Sequence, residues 1–138
     1  MAYRRFYFNK MIRDRVPQMM EKAGIQVVGH TMNQDEYEQR LKAKLVEEIE
    51  EVCVATTQKD VSEEIGDVLE VLKALAQYHH LDFSKVVASA EQKTAEKGGF
   101  FTPLCIDYIE IPDHHPRLDD YIRRPQKYPE QDPCTRGV

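Results

Sequence analysis

The sequence lacks the features that mark membrane, secreted and nucleic-acid-binding proteins. No apolar run approaches the roughly 18 residues that a membrane-spanning helix needs. The N-terminus, MAYRRFYFNK, has no apolar core of the kind found in signal peptides. The net charge of -5 is unfavourable for general nucleic-acid binding. We therefore expect a cytoplasmic protein that binds neither membranes nor nucleic acids.

Cysteines and glycine-rich loops are also scarce. Cys53, Cys105 and Cys134 are widely spaced and odd in number, which indicates neither a disulfide framework nor a zinc site. No glycine-rich loop precedes a predicted helix, so the sequence excludes a P-loop as the means of binding phosphate.

The composition is that of a helix-rich globule. The 138 residues are 41% hydrophobic and 31% charged, and their number suffices for one domain with a real core. Five of the seven prolines fall in residues 112–138, which predicts an irregular C-terminal tail. The expected organisation is one helical domain at residues 1–111 followed by this tail.

Hydrophobic periodicity predicts an all-α, four-helix fold. Asn33 and Glu36 form a capping-box pattern ahead of the second helix, and Asp60 and Glu63 repeat it ahead of the third. The predicted helices are a short one ending at Ala23, followed by others at about 34–55, 61–79 and 83–97. Segments 25–32 and 100–111 are short and β-like.

One acidic stretch stands out in the middle of the chain. Residues 45–70 hold nine carboxylates and one basic residue, Lys59. Acid–x–x–acid spacing occurs in both helical halves of the stretch and places two like charges on one side of each helix, where they repel. Such repeated repulsion suggests a bound cation. The alternative is a pair of solvated acidic helices, which are common.

Helical geometry divides these acids into two groups. On the second helix, Glu48 and Glu51 border the apolar face, whereas Glu47 and Glu50 point to water. On the third helix, Glu64 and Asp67 border the core. If the two helices pack as an antiparallel hairpin, the inner four acids meet at one edge of the interface. Hard oxygen ligands of this kind suit Mg²⁺ or Mn²⁺.

Basic residues form two further groups. Lys93 and Lys97 continue the apolar stripe of the fourth helix and are candidate ligands for phosphate, although lysines near a helix C-terminus also favour the helix dipole. Lys10 and Arg13 belong to a smaller basic group, which is either a phosphate-binding group or a solvated face.

Three motifs in order resemble a known superfamily, the all-α nucleoside triphosphate pyrophosphatases, which includes the MazG proteins. Glu48-x-x-Glu51 followed by Glu64-x-x-Asp67 is similar to its acidic signature. Two other stretches resemble its phosphoribosyl-ATP pyrophosphohydrolase-like branch. They are KMIRDRVP at residues 10–17 and KTAEKGGF at residues 93–100.

The resemblance implies a function and an assembly. Glu48, Glu51, Glu64 and Asp67 would hold Mg²⁺, and one of them would position the attacking water. Lys93 and Lys97 would bind phosphate, and Lys10 and Arg13 are our own further candidates for that role. The reaction would cleave a nucleoside triphosphate between its α- and β-phosphates, with non-canonical nucleotides as one substrate class, in a homodimer or higher homo-oligomer. Lys97 departs from the branch, which usually has arginine there and so gains bidentate phosphate contact.

Two alternatives remain open. One is hydrolysis of phosphoribosyl-ATP in histidine biosynthesis, which is the same chemistry on a different base. The other is a helical oligomerisation or regulatory module that has kept the fold and lost the chemistry.

Overall fold

The computed structural model describes residues 2–131, and in that range the chain forms helices and no β-strand. The predicted all-α fold is confirmed. None of these helices is both long and apolar enough to span a membrane. The helices are α1 (Val16–Lys22), α2 (Gln34–Val54), α3 (Gln58–Tyr78), α4 (Phe83–Lys97) and α5 (Leu118–Ile122).

The helices begin where side chains satisfy their first backbone N–H groups. Asn33 accepts a hydrogen bond from the Glu36 N–H at 2.9 Å and starts α2, as predicted. The Glu36 carboxylate contacts His30 Nε2, also at 2.9 Å. The predicted start of α3 is wrong, because the Thr57 hydroxyl accepts from the Asp60 N–H and the helix begins three residues earlier than expected.

An antiparallel hairpin of α2 and α3 is the centre of the first structural unit. Residues 55–57 connect the two helices, so their adjoining ends must lie close together. At the opposite end, the ring of Tyr37 at the start of α2 lies 5.7 Å from the ring of Tyr78 at the end of α3, edge to face. Helix α4 then contacts α3. The acidic stretch thus occupies the looped end of the hairpin.

The hairpin buries only a small core. Leu41 is 1% exposed and Ala76 is 7% exposed, and both lie on the faces that the periodicity assigned to the interior. Several large apolar residues of the same helices stay exposed, among them Ile49, Ile65 and Leu69. A two-helix hairpin has too few layers to cover both sides of each helix, so much of its apolar surface has no cover within this unit.

Two features of the predicted fold need correction. Neither β-like segment, 25–32 or 100–111, forms a strand, because a strand needs a neighbouring strand to accept its backbone hydrogen bonds. The predicted irregular tail contains a short helix, α5, where Arg123 pairs with Asp120 at 3.2 Å. The end of that tail, with Cys134, lies outside the described residues.

The chain divides into two units by its internal contacts, Met1–Gly98 and Gly99–Val138. All of the predicted site residues fall in the first unit. The functional domain boundary that we placed after residue 111 stays a prediction.

Replacing Leu41 with alanine should strongly destabilise the protein. Leu41 is the largest fully buried side chain of the hairpin, and a Leu→Ala change at such a position costs about 2–5 kcal/mol. Urea unfolding followed by circular dichroism measures the loss. Val46→Ala is the matched control, because Val46 lies on the same helix with 56% of its surface exposed. Equal losses in the two variants would show that Leu41 is not at the core.

Candidate functional site

Three of the predicted acidic residues converge at the looped end of the hairpin. Glu48 comes from α2, and Glu64 and Asp67 come from α3. One carboxylate oxygen of each lies within 4.8 Å of one in each of the other two. Oxygen ligands of one Mg²⁺ stand at most about 4.2 Å apart, since each Mg–O distance is near 2.1 Å. Small side-chain movements would therefore bring the three oxygens into the ligand shell of one ion, and their hard donor chemistry fits Mg²⁺ or Mn²⁺.

Glu48 is the most deeply placed of the three. It is 8% exposed, whereas Glu64 and Asp67 are half-buried. Glutamate is almost never fully buried without a partner, because removing a charge from water is costly. The periodicity had placed Glu48 at the border of the core, and its burial agrees with that placement.

Glu64 has a raised pKa, in keeping with its acidic surroundings. Burial raises the pKa of its carboxyl, and the negative charges of Asp67 and Glu51, followed by those of Glu48 and Glu63, raise it further. Both causes disfavour the ionised form. Among residues 2–131, no ion-pair partner of Glu64 is found. Its ionised carboxylate is thus the member of the group most in need of a cation.

Lys44 is a counter-charge that the sequence reasoning missed. Its ammonium lies 2.8 Å from Glu48 Oε1 and 3.3 Å from Glu47 Oε1. Burial acts to lower the pKa of Lys44, but its hydrogen bonds to Glu48 and Glu47 and their charges outweigh that effect, so the pKa is raised. The signal was present in the sequence, since Lys44 precedes Glu48 by four residues and such pairs are neighbours on a helix.

The N-terminal basic residues also contact acids at this end of the hairpin. Arg13 Nη2 lies 2.5 Å from Asp67 Oδ1, and Lys10 Nζ lies 2.8 Å from Glu47 Oε1. These contacts bring residues 10–13 onto both helices from far along the chain. Glu47, which we had placed toward water, is in fact half-buried between two lysines, and its hydrogen bond with Lys10 is the main cause that lowers its pKa.

Other predicted site residues are less closely grouped. Glu51 is exposed and lies outside the 4.8 Å group, although its charge reaches Glu64. Lys93 and Lys97 lie on one exposed surface of α4, together with Gln92 and Glu96. Neither lysine forms an ion pair with the acidic group in the part of the chain that the structure describes. Their roles in binding metal or phosphate stay predictions.

A comparison with protein-family models matches the helical region to one family. Residues 36–98 match the family model described as the MazG nucleotide pyrophosphohydrolase domain. The match runs from the first turn of α2 to the glycine that ends α4, so it includes the whole acidic group. No curated protein and no solved structure gives a significant match. The resemblance to the MazG-like superfamily is confirmed, and the assignment to a branch within it stays a prediction.

Replacing Glu64 with glutamine should make the metal-free protein more stable to heat. The change removes a negative charge that has four acidic neighbours and no cationic partner among the described residues, so repulsion in the folded state falls. Thermal unfolding in EDTA at neutral pH measures the effect, and a rise of a few degrees is expected. Glu63→Gln is the control, because it removes an equal charge from an exposed neighbouring position. A lower melting temperature for Glu64→Gln than for the control would contradict repulsion at Glu64.

Proposed function

Since residues 36–98 match the MazG nucleotide pyrophosphohydrolase domain, we propose that the protein hydrolyses a nucleoside triphosphate between its α- and β-phosphates. The products are a nucleoside monophosphate and pyrophosphate. Non-canonical nucleotides are the proposed substrate class, which would make the reaction one of nucleotide house-cleaning.

The convergence of Glu48, Glu64 and Asp67 carries this proposal. Three carboxylates from two helices supply oxygen donors to one point, and Mg²⁺ is commonly held by one or two carboxylates together with the phosphates of a substrate. Such an ion, when bound, offsets the charge on the phosphates and on the leaving pyrophosphate. We assign metal binding to these three acids and to Glu51, and one of the four also positions the attacking water.

The basic residues have a matching role in the proposed reaction. Arg13 and Lys10 lie beside the acids, and both side chains are about half exposed. Arg13 presents a planar fork of donors that suits bidentate phosphate contact. Exposed ion pairs of this kind contribute little to stability, so a triphosphate can draw either side chain from its carboxylate at small cost. Lys93 and Lys97 are proposed as further phosphate ligands.

The identity of the substrate's base is suggested by two motifs outside the acidic group. KMIRDRVP and KTAEKGGF resemble the phosphoribosyl-ATP pyrophosphohydrolase-like branch, which makes phosphoribosyl-ATP the second candidate substrate. A nucleotide of either kind is a solute of the cytoplasm, so the proposed activity implies a cytoplasmic location.

The protein is proposed to act as a homodimer or higher homo-oligomer. Ile65, Leu69 and Leu72 are spaced by four and three residues, so they share one face of α3, and each is more than a third exposed. A second copy of the chain would remove this apolar face from water. The same surface would serve a non-catalytic helical module, so activity must be measured directly.

Pyrophosphate release tests the reaction. The panel contains canonical nucleoside triphosphates, damaged ones and phosphoribosyl-ATP, each with Mg²⁺ and with EDTA. We expect Mg²⁺-dependent release from one of them. Glu48→Gln and Asp67→Asn should lower turnover on the order of 100-fold while the protein stays folded, because each removes a ligand charge. Glu50→Gln is the control on an exposed position of α2. Absence of release from every substrate by folded protein would favour the non-catalytic module.

Introducing a charge on the exposed apolar face of α3 tests the proposed homo-oligomer. Leu69→Glu should shift the protein toward monomer, because a glutamate would be buried at the interface between copies. Light scattering after size-exclusion chromatography gives the mass in solution. Gln77→Glu adds the same charge at an exposed position of α3 and should leave the mass unchanged. An oligomer that persists in Leu69→Glu would place the interface elsewhere.

A further inference from the structure

The Lys44–Glu48 pair differs from the other ion pairs around the acidic group. Its two side chains are 19% and 10% exposed, whereas those of Lys10 and Arg13 are 48% and 59% exposed. Both partners belong to α2 and lie one turn apart, so the helix itself holds them together. A pair that is local and buried persists whatever the N-terminal segment does.

The Lys44–Glu48 pair partly neutralises the negative charge of the acidic group. Glu48, Glu64 and Asp67 carry three negative charges when ionised, and Lys44 and Arg13 each supply one positive charge at hydrogen-bond distance. A buried carboxylate left without a partner would strongly destabilise the folded state. Lys44 pairs with Glu48 in the metal-free protein and so prevents this destabilisation. The same positive charge repels a divalent ion that approaches the group.

We propose that Lys44 is a positioning residue, a built-in counter-ion that holds Glu48 in the metal-free protein and weakens the binding of a free divalent cation to the acidic group. This inference rests on the proposed function, because it concerns the metal of that same site. If Lys44 acts in this way, the acidic group binds the divalent ion weakly by itself. Most of the affinity for the ion is gained when a bound triphosphate adds its own negative charge. The ion would then enter and leave with its nucleotide, and the helices would keep their packing between turnovers.

Calorimetric titration with Mn²⁺ alone, on the full chain without nucleotide, tests this role. Lys44→Met removes the charge and keeps an unbranched side chain. We expect Mn²⁺ to bind this variant on the order of tenfold more tightly than wild type. Melting temperatures provide a second readout. Lys44→Met should melt lower than wild type in EDTA, and Mn²⁺ should raise its melting temperature by more.

Lys42→Met is the matched control on the same helix. Lys42 is exposed and pairs with Glu38 at 3.0 Å, and Glu38 in turn accepts a hydrogen bond from Tyr78 at the end of the hairpin away from the acidic group. The change therefore removes the same charge from α2 at a distance from the site. It should leave Mn²⁺ affinity close to the wild-type value.

The direction of the change in affinity decides between the possible roles of Lys44. Equal or weaker Mn²⁺ binding by Lys44→Met would overturn the counter-ion role, since a lysine that only packs, or only orients Glu48 for the metal, gives that result. Absence of Mn²⁺ binding by both wild type and variant would also overturn it. Binding by the variant alone would support it. If Lys44→Met fails to fold, Lys44→Gln tests the same point, because its amide can still donate to Glu48.

Pyrophosphate release by the wild-type protein separates this inference from the proposed function. Release together with unchanged Mn²⁺ affinity in Lys44→Met would overturn the counter-ion role alone. Absence of release together with tighter Mn²⁺ binding in Lys44→Met would overturn the proposed reaction and leave the counter-ion role standing.

Discussion

The burial of one carboxylate, that of Glu48, is the constraint on which the site depends. The hairpin of α2 and α3 buries little apolar surface, with Leu41 and Ala76 as its core, yet it also encloses a charge. Folded structures tolerate such a charge only when it is paired or bound to a cation. The hairpin meets this condition with Lys44. Placing Glu48 beside Glu64 and Asp67 therefore lowers the stability of the metal-free fold, and the proposed metal ion would offset this loss.

Among residues 2–131, Lys44 and Arg13 are the two cations that contact the acidic group, and they differ in how firmly they are held because they come from different parts of the chain. Lys44 is fixed by one turn of its own helix, so the pair forms whenever α2 forms. Arg13 reaches Asp67 from a segment 54 residues earlier, and its side chain remains mostly in water. An exposed pair of this kind is worth at most about 1 kcal/mol. Arg13 would thus be free to move to a phosphate, as proposed, whereas Lys44 would stay paired with Glu48.

Sequence reasoning predicted the parts of this structure that depend on local rules. Helical periodicity placed Glu48, Glu64 and Asp67 at the border of the core, and the Asn33 cap fixed the start of α2. Pairing between side chains was harder to foresee. Glu47 was assigned to water by its angle on the helix, but Lys44 and Lys10 reach it and cover it. The β-like segments failed for a related reason, because strand pairing depends on distant partners that a local pattern does not reveal.

The apolar face of α3 and the acidic group are neighbours in sequence, which would couple the proposed assembly to the charge of the site. Ile65 directly follows Glu64 and is 54% exposed within the hairpin. A second copy seated on Ile65, Leu69 and Leu72 would exclude water from the edge of the site. Charges interact more strongly where water is excluded, so the repulsion between Glu64 and its acidic neighbours would rise. Since Glu64 is the acid of the group without a cationic partner in residues 2–131, assembly would increase the need of the site for a metal ion. Oligomerisation and metal binding would then favour each other through this one carboxylate.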